Sequence, residues 1–222
     1  GDVVSVVNAP FARNALDAPP DGPPIWQHPR AHELGRLLFG GLAVLLLIFT
    51  VLRPARYIDA EERVEFGELH VFTGPDFVIT VRHAESPKLQ CVRRRMEQHP
   101  ELLQLGPEAV LYAVLDQVVD EYEPVVKGLE NDIDEIEDQL FGVADDDALS
   151  RRIYELYGEV LGFGRAVHPL IAMIEMLRDG YEKYDVDLEL RRALRDVYDH
   201  VVRYDGQIDG FRALLDKALT TH

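Results

Sequence analysis

Carboxylate side chains recur along the C-terminal stretch from Asp187 to His222. They lie near one line of a predicted helix, at Asp196, Asp199, Asp205, Asp209 and Asp216. Carboxylate oxygens are the ligands that hard divalent cations such as Mg²⁺ take from proteins. A helix with such a line can form one wall of a divalent-cation path. The alternative is a solvated coiled coil whose acidic line only faces water, and the pattern alone favours that alternative.

The same stretch carries an apolar seam that predicts a long helix. Its residues are separated by alternating steps of four and three, at Leu190, Leu194, Val197, Val201, Tyr204, Ile208, Phe211, Leu215 and Ala218. A heptad spacing of this kind buries a narrow stripe against other helices. Because two earlier helices have seams that fit each other, we expect this third seam to lack a partner in its own chain. The pattern therefore favours oligomerisation about this helix.

The composition limits the classes of function. The chain has 222 residues, and 40 acidic against 23 basic residues give a net charge of −17. This charge argues against a nucleic-acid surface, which needs clustered Lys and Arg. A single cysteine, Cys91, excludes an internal disulfide and a multi-cysteine metal site. The sequence has no phosphate loop, zinc-protease motif or nucleophile elbow, so we expect no enzyme.

The patterns divide the chain into four parts. Residues 1–45 are rich in proline and poorly patterned, with a short strand expected near Val3 to Val7. Residues 46–105 form the β-rich part of a head, residues 106–180 a long helical hairpin, and residues 187–222 the final helix. The expected class is α+β.

The head contains an apolar run, Leu37 to Leu52, that has two interpretations. It is shorter than a usual membrane span and contains two glycines, so a buried strand or a helix leading into one is favoured. We expect a strand over its end, from Phe49, which Pro54 stops. Two further strands flank the turn Thr73-Gly74-Pro75-Asp76, and Val64 to Phe66 alternates as another. A short helix is expected from Ser86 to about Gln98.

Two long helices follow the head. The first begins at Gly106-Pro107 and should bend at Pro124, and the second runs from about Ala148 to Arg178 and should kink at Pro169. A short acidic turn joins them, so we expect them to pair as an antiparallel hairpin. His83, His99 and His168 are interpreted as ordinary surface or packing residues.

Several segments resemble, in chain order, the CorA-type magnesium/cobalt transporters. The segment from Arg195 to His200, with Leu214-Leu215-Asp216, resembles the stalk helix of that family. Val71 to His83 resembles its central hairpin. Leu115 to Tyr122, Glu130 to Glu137 and His168-Pro169-Leu170 resemble its two long helices. The resemblance extends from about Phe49 to His222.

The resemblance implies a homopentamer whose subunits each have an α/β head with a mixed sheet, a helical hairpin and a stalk that continues into the membrane. The family's Gly-Met-Asn pore signature lies beyond the stalk, and this chain stops at His222 before it. We therefore expect a fragment on the cytoplasmic side of the cell inner membrane. Its implied partners are other subunits and divalent cations, with the membrane reached through the absent segments and no nucleic acid.

The resemblance also implies a set of metal ligands. Asp196 matches the stalk ligand of a cation site between subunits, for which Glu33 is a weak partner candidate. Asp116 and His200 match positions near a second cation, and Asp216 matches an acidic ring at the pore mouth. Asp199 lies on the same acidic line and is a further candidate. The competing interpretation of Asp196 is a salt bridge to an arginine such as Arg192 or Arg203.

The ion and the mechanism follow as hypotheses. Mg²⁺ keeps several waters, so one or two carboxylates suffice to hold it, whereas a carboxylate and an imidazole four residues apart also suit Co²⁺ or Zn²⁺. Bound cation would cancel carboxylate repulsion between subunits and hold the pore closed. The alternatives are the cytoplasmic domain of a related zinc transporter and a purely structural helical oligomerisation module.

Overall fold

The computed structural model of the chain describes residues 3–8, 48–83, 85–140 and 146–221. Its strands are β1 (Val3–Asn8), β2 (Ile48–Leu52), β3 (Ala55–Ile58), β4 (Arg63–Phe66), β5 (Leu69–Thr73) and β6 (Phe77–Arg82). Its helices are α1 (Leu89–Gln98), α2 (Pro100–Leu103), α3 (Pro107–Asp120), α4 (Tyr122–Leu140), α5 (Asp146–Lys183) and α6 (Leu188–Thr221). The predicted α+β class is confirmed. Glu33 and the apolar residues 37–47 lie outside the described residues.

The described strands form two separate sheets. The larger has the order β1-β6-β5-β2 and the smaller consists of β3 and β4. The hairpin predicted around Gly74 is confirmed, with the Gly74 N–H donating to the Phe77 carbonyl at 2.9 Å. Every pairing is antiparallel, where a mixed sheet was expected. Strand β3 was not predicted, because Pro54 was interpreted as the end of the strand region; instead the chain resumes a strand one residue later.

The larger sheet has an inner and an outer face. Leu69, Val71 and Val78 alternate with more exposed residues and are almost fully buried. Their side chains face α3, which packs against β5 and β6. This period of two is that of a strand with one covered face. The sheet therefore connects to the helices through α3.

The first long helix of the prediction is two helices in the structure. Helix α3 ends at Asp120 and α4 begins at Tyr122, with the break at Glu121. The bend was predicted at Pro124, which instead lies in the first turn of α4. Proline is tolerated in a first turn because the N–H groups there have no partner within the helix. The proline thus marks the start of α4.

The apolar seam of α6 is buried inside its own chain. Leu194, Val201 and Leu215 have no exposed surface, and α6 packs mainly against α5, with further contacts to α3 and α4. The expectation that this seam has no partner in the same chain is therefore wrong. The seams of α5 and α6 pack against each other. The apolar stripe on a helix of a globular protein is wide enough to contact more than one neighbouring helix, so α6 can contact α3 and α4 as well.

Helix α5 is the one described helix that is long and apolar enough to cross a membrane. Its apolar residues are used in packing: Ile153, Phe163 and Ile174 are completely buried. The Phe163 ring meets the Tyr122 ring edge-on at 5.2 Å between centroids. Packing within the chain thus buries 39% of the most apolar stretch of α5, and the helix continues across Pro169.

The small sheet docks on α4 and α5 through buried polar contacts. The Tyr57 hydroxyl of β3 lies 2.9 Å from both carboxylate oxygens of Asp132 on α4. The Glu159 carboxylate of α5 accepts a hydrogen bond from the Val64 N–H at 2.8 Å. Burial raises the pKa of both Asp132 and Glu159, because desolvation disfavours their charged forms.

Asp132→Asn is expected to stabilise the chain at pH 7 by about 1 kcal/mol, because it removes a buried charge while a phenol can both donate to and accept from an amide. A raised folded pKa means that the native state binds more protons than the unfolded one. The carboxyl's stabilising contribution is thus present below the unfolded pKa of about 3.9 and is lost as pH rises through the folded pKa.

The gain from Asp132→Asn should therefore shrink towards zero as pH falls to about 4. Urea unfolding at a series of pH values measures this dependence. Asp134→Asn, at an exposed position of the same helix, is the matched control and should change little. Destabilisation of the Asp132 variant at pH 7 would show that the ionised carboxylate supports the fold.

Candidate metal centre

Asp196 and Asp199 project from an exposed part of α6. Both residues are exposed, and neither forms an ion pair within the described part of the chain. The competing salt bridges are not formed. Arg192 pairs with Glu189 at 2.8 Å, and the Arg203 guanidinium lies over the Tyr204 ring. The two carboxylates are thus available to a cation from outside the chain.

The face of α6 opposite its buried seam carries small and apolar residues interspersed with the exposed charged residues Arg195, Arg203 and Lys217. Val202, Gly206, Gly210, Ala213 and Leu214 are all exposed. With 3.6 residues per turn, they lie on the side of the helix away from the seam. A Cβ added at Gly206 or Gly210 would touch nothing within 4 Å. Two helices can approach closely over such a surface, which we call the outer face of α6.

His200 lies near the junction of α3 and α4. It is half-buried, and its ring centroid lies 6.4 Å from that of Tyr204. A positive charge on its ring would lower the pKa of two carboxyls of the junction, Asp120 and Glu123. Partial burial and the adjacent Asp116 carboxylate raise the pKa of Asp120, while His200 offsets part of this rise. The pKa of Glu123 is lowered by its hydrogen bond to Lys127.

Asp120 and Glu123 were not identified from the sequence. Asp116 and Asp120 are four residues apart and therefore share a face of α3, which is the signal that could have indicated Asp120. No comparable spacing indicates Glu123, because it follows the break between α3 and α4. An imidazole on α6 and carboxyls on α3 and α4 thus influence one another electrostatically at this junction, but within the described chain they do not converge on a metal ion.

Asp116 already has a cationic partner. A guanidinium nitrogen of Arg95 on α1 lies 3.2 Å from its carboxylate, and the Asp116 side chain is only 21% exposed. The positive charge of Arg95 neutralises the negative charge of Asp116, which a metal ion would otherwise bind. Asp116 therefore fits a metal ion less well than Asp196 does.

The predicted ligands do not converge within one chain. Asp216 is exposed on α6, and a rise of 1.5 Å per residue places it about 30 Å along the helix from Asp196. Across the described ranges, no three His, Cys, Asp or Glu side chains are arranged to hold a metal ion. The carboxylates of Asp196 and Asp199 have the hard oxygen donors that suit Mg²⁺, but further ligands must come from water or another chain.

Comparison with known proteins gives the family. The model of the family described as CorA-like Mg²⁺ transporter protein matches residues 45–222. The chain belongs to this family. It is 27% identical over 156 residues to the Bacillus subtilis protein YfjQ, provisionally named a metal ion transporter. It is 26% identical over 145 residues to a Schizosaccharomyces pombe protein, also provisionally named a metal ion transporter.

These alignments cover much of this CorA-like chain but a smaller part of its relatives. The first includes 68% of this chain and 47% of YfjQ, and the second 63% of this chain and 18% of the yeast protein. The chain thus spans about half the length of one relative and less than a fifth of the other. Membership of a metal-ion transporter family is established.

Proposed function

We propose that the chain is the cytoplasmic, cation-sensing domain of a CorA-like transporter of divalent metal ions. In the whole protein, five copies would surround a pore at the cell inner membrane, with Mg²⁺ bound between neighbouring subunits. The observation that carries this proposal is the exposed Asp196 carboxylate, which has no cation within the described chain and lies beside the outer face of α6.

The outer face supports subunit association in place of the apolar seam. The seam is occupied by α5, whereas Gly206 and Gly210 leave room for a second helix to approach closely. Asp196 and Asp199 would then meet carboxylates of the neighbouring subunit, and their repulsion would keep the subunits apart without a cation. Mg²⁺ would favour the closed ring, and its loss would release it. Asp216 would add an acidic ring nearer the pore.

The cytoplasmic domain of a related zinc transporter is a second candidate, and one observation favours it. His200 influences the carboxyls of Asp120 and Glu123 electrostatically, and a donor set of imidazole nitrogen and carboxylate oxygen suits Zn²⁺ better than Mg²⁺. Calorimetric titration with each ion separates the candidates. A structural oligomerisation module would show no dependence of thermal stability on any of these ions.

Millimolar Mg²⁺ is expected to increase oligomer mass and slow proteolysis of the wild-type chain, and Asp196→Ala should remove both effects. At ten times its dissociation constant, Mg²⁺ should stabilise by about 1.4 kcal/mol, a rise in Tm of about 3–5 °C for a chain of this size. Native mass spectrometry and thermal unfolding measure these changes.

Asp209→Ala is the matched control, because the Asp209 carboxylate on the same helix already pairs with Arg212 at 3.3 Å. This variant should respond to Mg²⁺ as the wild type does. The sensing role is contradicted if Mg²⁺ changes neither the oligomer mass, nor the rate of proteolysis, nor the Tm of the wild-type chain. A response that is equal in the Asp196 variant would contradict the assignment of the ligand.

A further inference from the structure

We infer that the outer face of the larger sheet carries a separate site for a transition-metal ion, formed by His70, His83 and Glu68. These side chains lie at one corner of the sheet, on the side away from α3. None of them belongs to the carboxylate set on α6.

The strand register brings the three residues together. Glu68 and His70 are two apart at the start of β5, so their side chains leave the same face. The His83 N–H donates to the Glu68 carbonyl at 2.9 Å, which places His83 opposite Glu68 at the end of β6. The His70 and His83 rings are 5.8 Å apart between centroids and nearly perpendicular. Two strands thus present two imidazoles and one carboxylate at one corner.

His70 and Glu68 form an ion pair, and the spacing of their donor atoms also fits two ligands of one metal ion. His70 Nε2 lies 3.5 Å from Glu68 Oε2, and this nitrogen is shielded from solvent without a hydrogen-bond partner. Two ligands about 2.1 Å from a tetrahedral ion would be about 3.4 Å apart, and two imidazoles on one such ion would have centroids about 5 Å apart. Both observed separations are close to these values.

The site requires a rearrangement of one side chain. No three donors converge as the described side chains stand, so His83 must rotate to bring a ring nitrogen to the ion. One ring nitrogen suffices for ligation, and the other can keep a hydrogen bond. The Phe49 ring on the edge strand β2 packs against the His70 ring at 5.8 Å and limits its movement. A water molecule would complete four-coordination.

The donor set defines the class of ion. Imidazole nitrogen suits Zn²⁺, Co²⁺ and other borderline ions, whereas Mg²⁺ takes oxygen ligands and keeps most of its waters. The site would therefore respond to transition metals in a chain whose α6 carboxylates suit Mg²⁺. Its position on the outer face of the sheet makes it independent of the outer face of α6.

Co²⁺ titration of the full chain, followed by visible absorption at pH 7.5, tests the site. The titration uses a Cys91→Ser background, because the thiol is exposed and could bind Co²⁺ itself. His70→Ala and His83→Ala should each weaken the tightest Co²⁺ binding by at least about tenfold, and Glu68→Gln by a smaller factor. Excess Mg²⁺ should not displace the bound Co²⁺.

His99→Ala is the matched control, since His99 is an exposed histidine that pairs with Glu101 at 2.9 Å. It should leave the affinity unchanged, as should Asp196→Ala, which separates this site from the α6 carboxylates. If the chain does not bind Co²⁺, or if the His70 and His99 variants bind it equally tightly, the site does not exist. Circular dichroism confirms that each variant is folded before titration.

Discussion

Leu194→Ala is expected to cost about 3–5 kcal/mol of unfolding free energy, whereas Leu214→Ala on the same helix should cost less than about 0.5 kcal/mol. Leu194 lies in the seam of α6 and is completely buried, while Leu214 lies on the outer face and is 38% exposed. Removing a buried leucine loses its transfer free energy and leaves a cavity. Denaturant unfolding of both variants measures the difference directly.

Measuring both variants at several protein concentrations shows whether each residue packs within its own chain or against another chain. A seam filled by α5 of the same chain gives a Leu194 penalty that is independent of concentration. If the outer face of α6 is an association surface, Leu214→Ala should instead weaken oligomer formation while leaving the fold intact. A Leu194 penalty that disappears on dilution would show that the seam serves another chain after all.

The final helix shows what a periodic pattern can and cannot predict. Its seam was predicted residue by residue, and the nine seam residues between Leu190 and Ala218 are all buried. The partner was predicted wrongly, because a heptad pattern specifies a face to be covered but does not say by which helix. The seams of α4 and α5 were assumed to satisfy each other. In the structure, α5 packs mainly against α6.

The head shows a similar limit. The hairpin of β5 and β6 could be predicted because Thr73-Gly74-Pro75-Asp76 separates two alternating runs. Strand β3 was missed because Pro54 was interpreted as the end of the strand region. Its position also depends on a distant contact, since Tyr57 packs on α4 and reaches Asp132, 75 residues later. Local propensity carries no information about such a contact.

The candidate site residues also show which features the sequence indicates and which depend on tertiary structure. The exposure of Asp196 and Asp199 agrees with carboxylates available to a cation, but no single chain shows a complete site, so their role stays a prediction. Asp116 was matched without knowledge of Arg95, which approaches from α1 through tertiary packing. The corner at His70 and His83 likewise needed the strand register, since thirteen positions separate the two residues in sequence.

Gly128→Ala is expected to destabilise the chain by about 2 kcal/mol, although alanine is the better helix former. Gly128 is buried on α4, where a Cβ would lie within 2.5 Å of Cγ and Cε2 of the Tyr57 ring. The ring cannot turn away easily, because its hydroxyl is held by the buried Asp132 carboxylate. The small sheet must therefore shift as a unit, or the hydrogen bond must break.

Gly158→Ala on α5 is the matched control, since a Cβ there would touch nothing within 4 Å. This substitution should stabilise by about 0.5–1 kcal/mol through helix propensity alone. The two glycine variants should thus change the unfolding free energy in opposite directions under identical conditions. Equal gains in both would mean that Tyr57 is not held against α4, and that the small sheet is free to move relative to the helices.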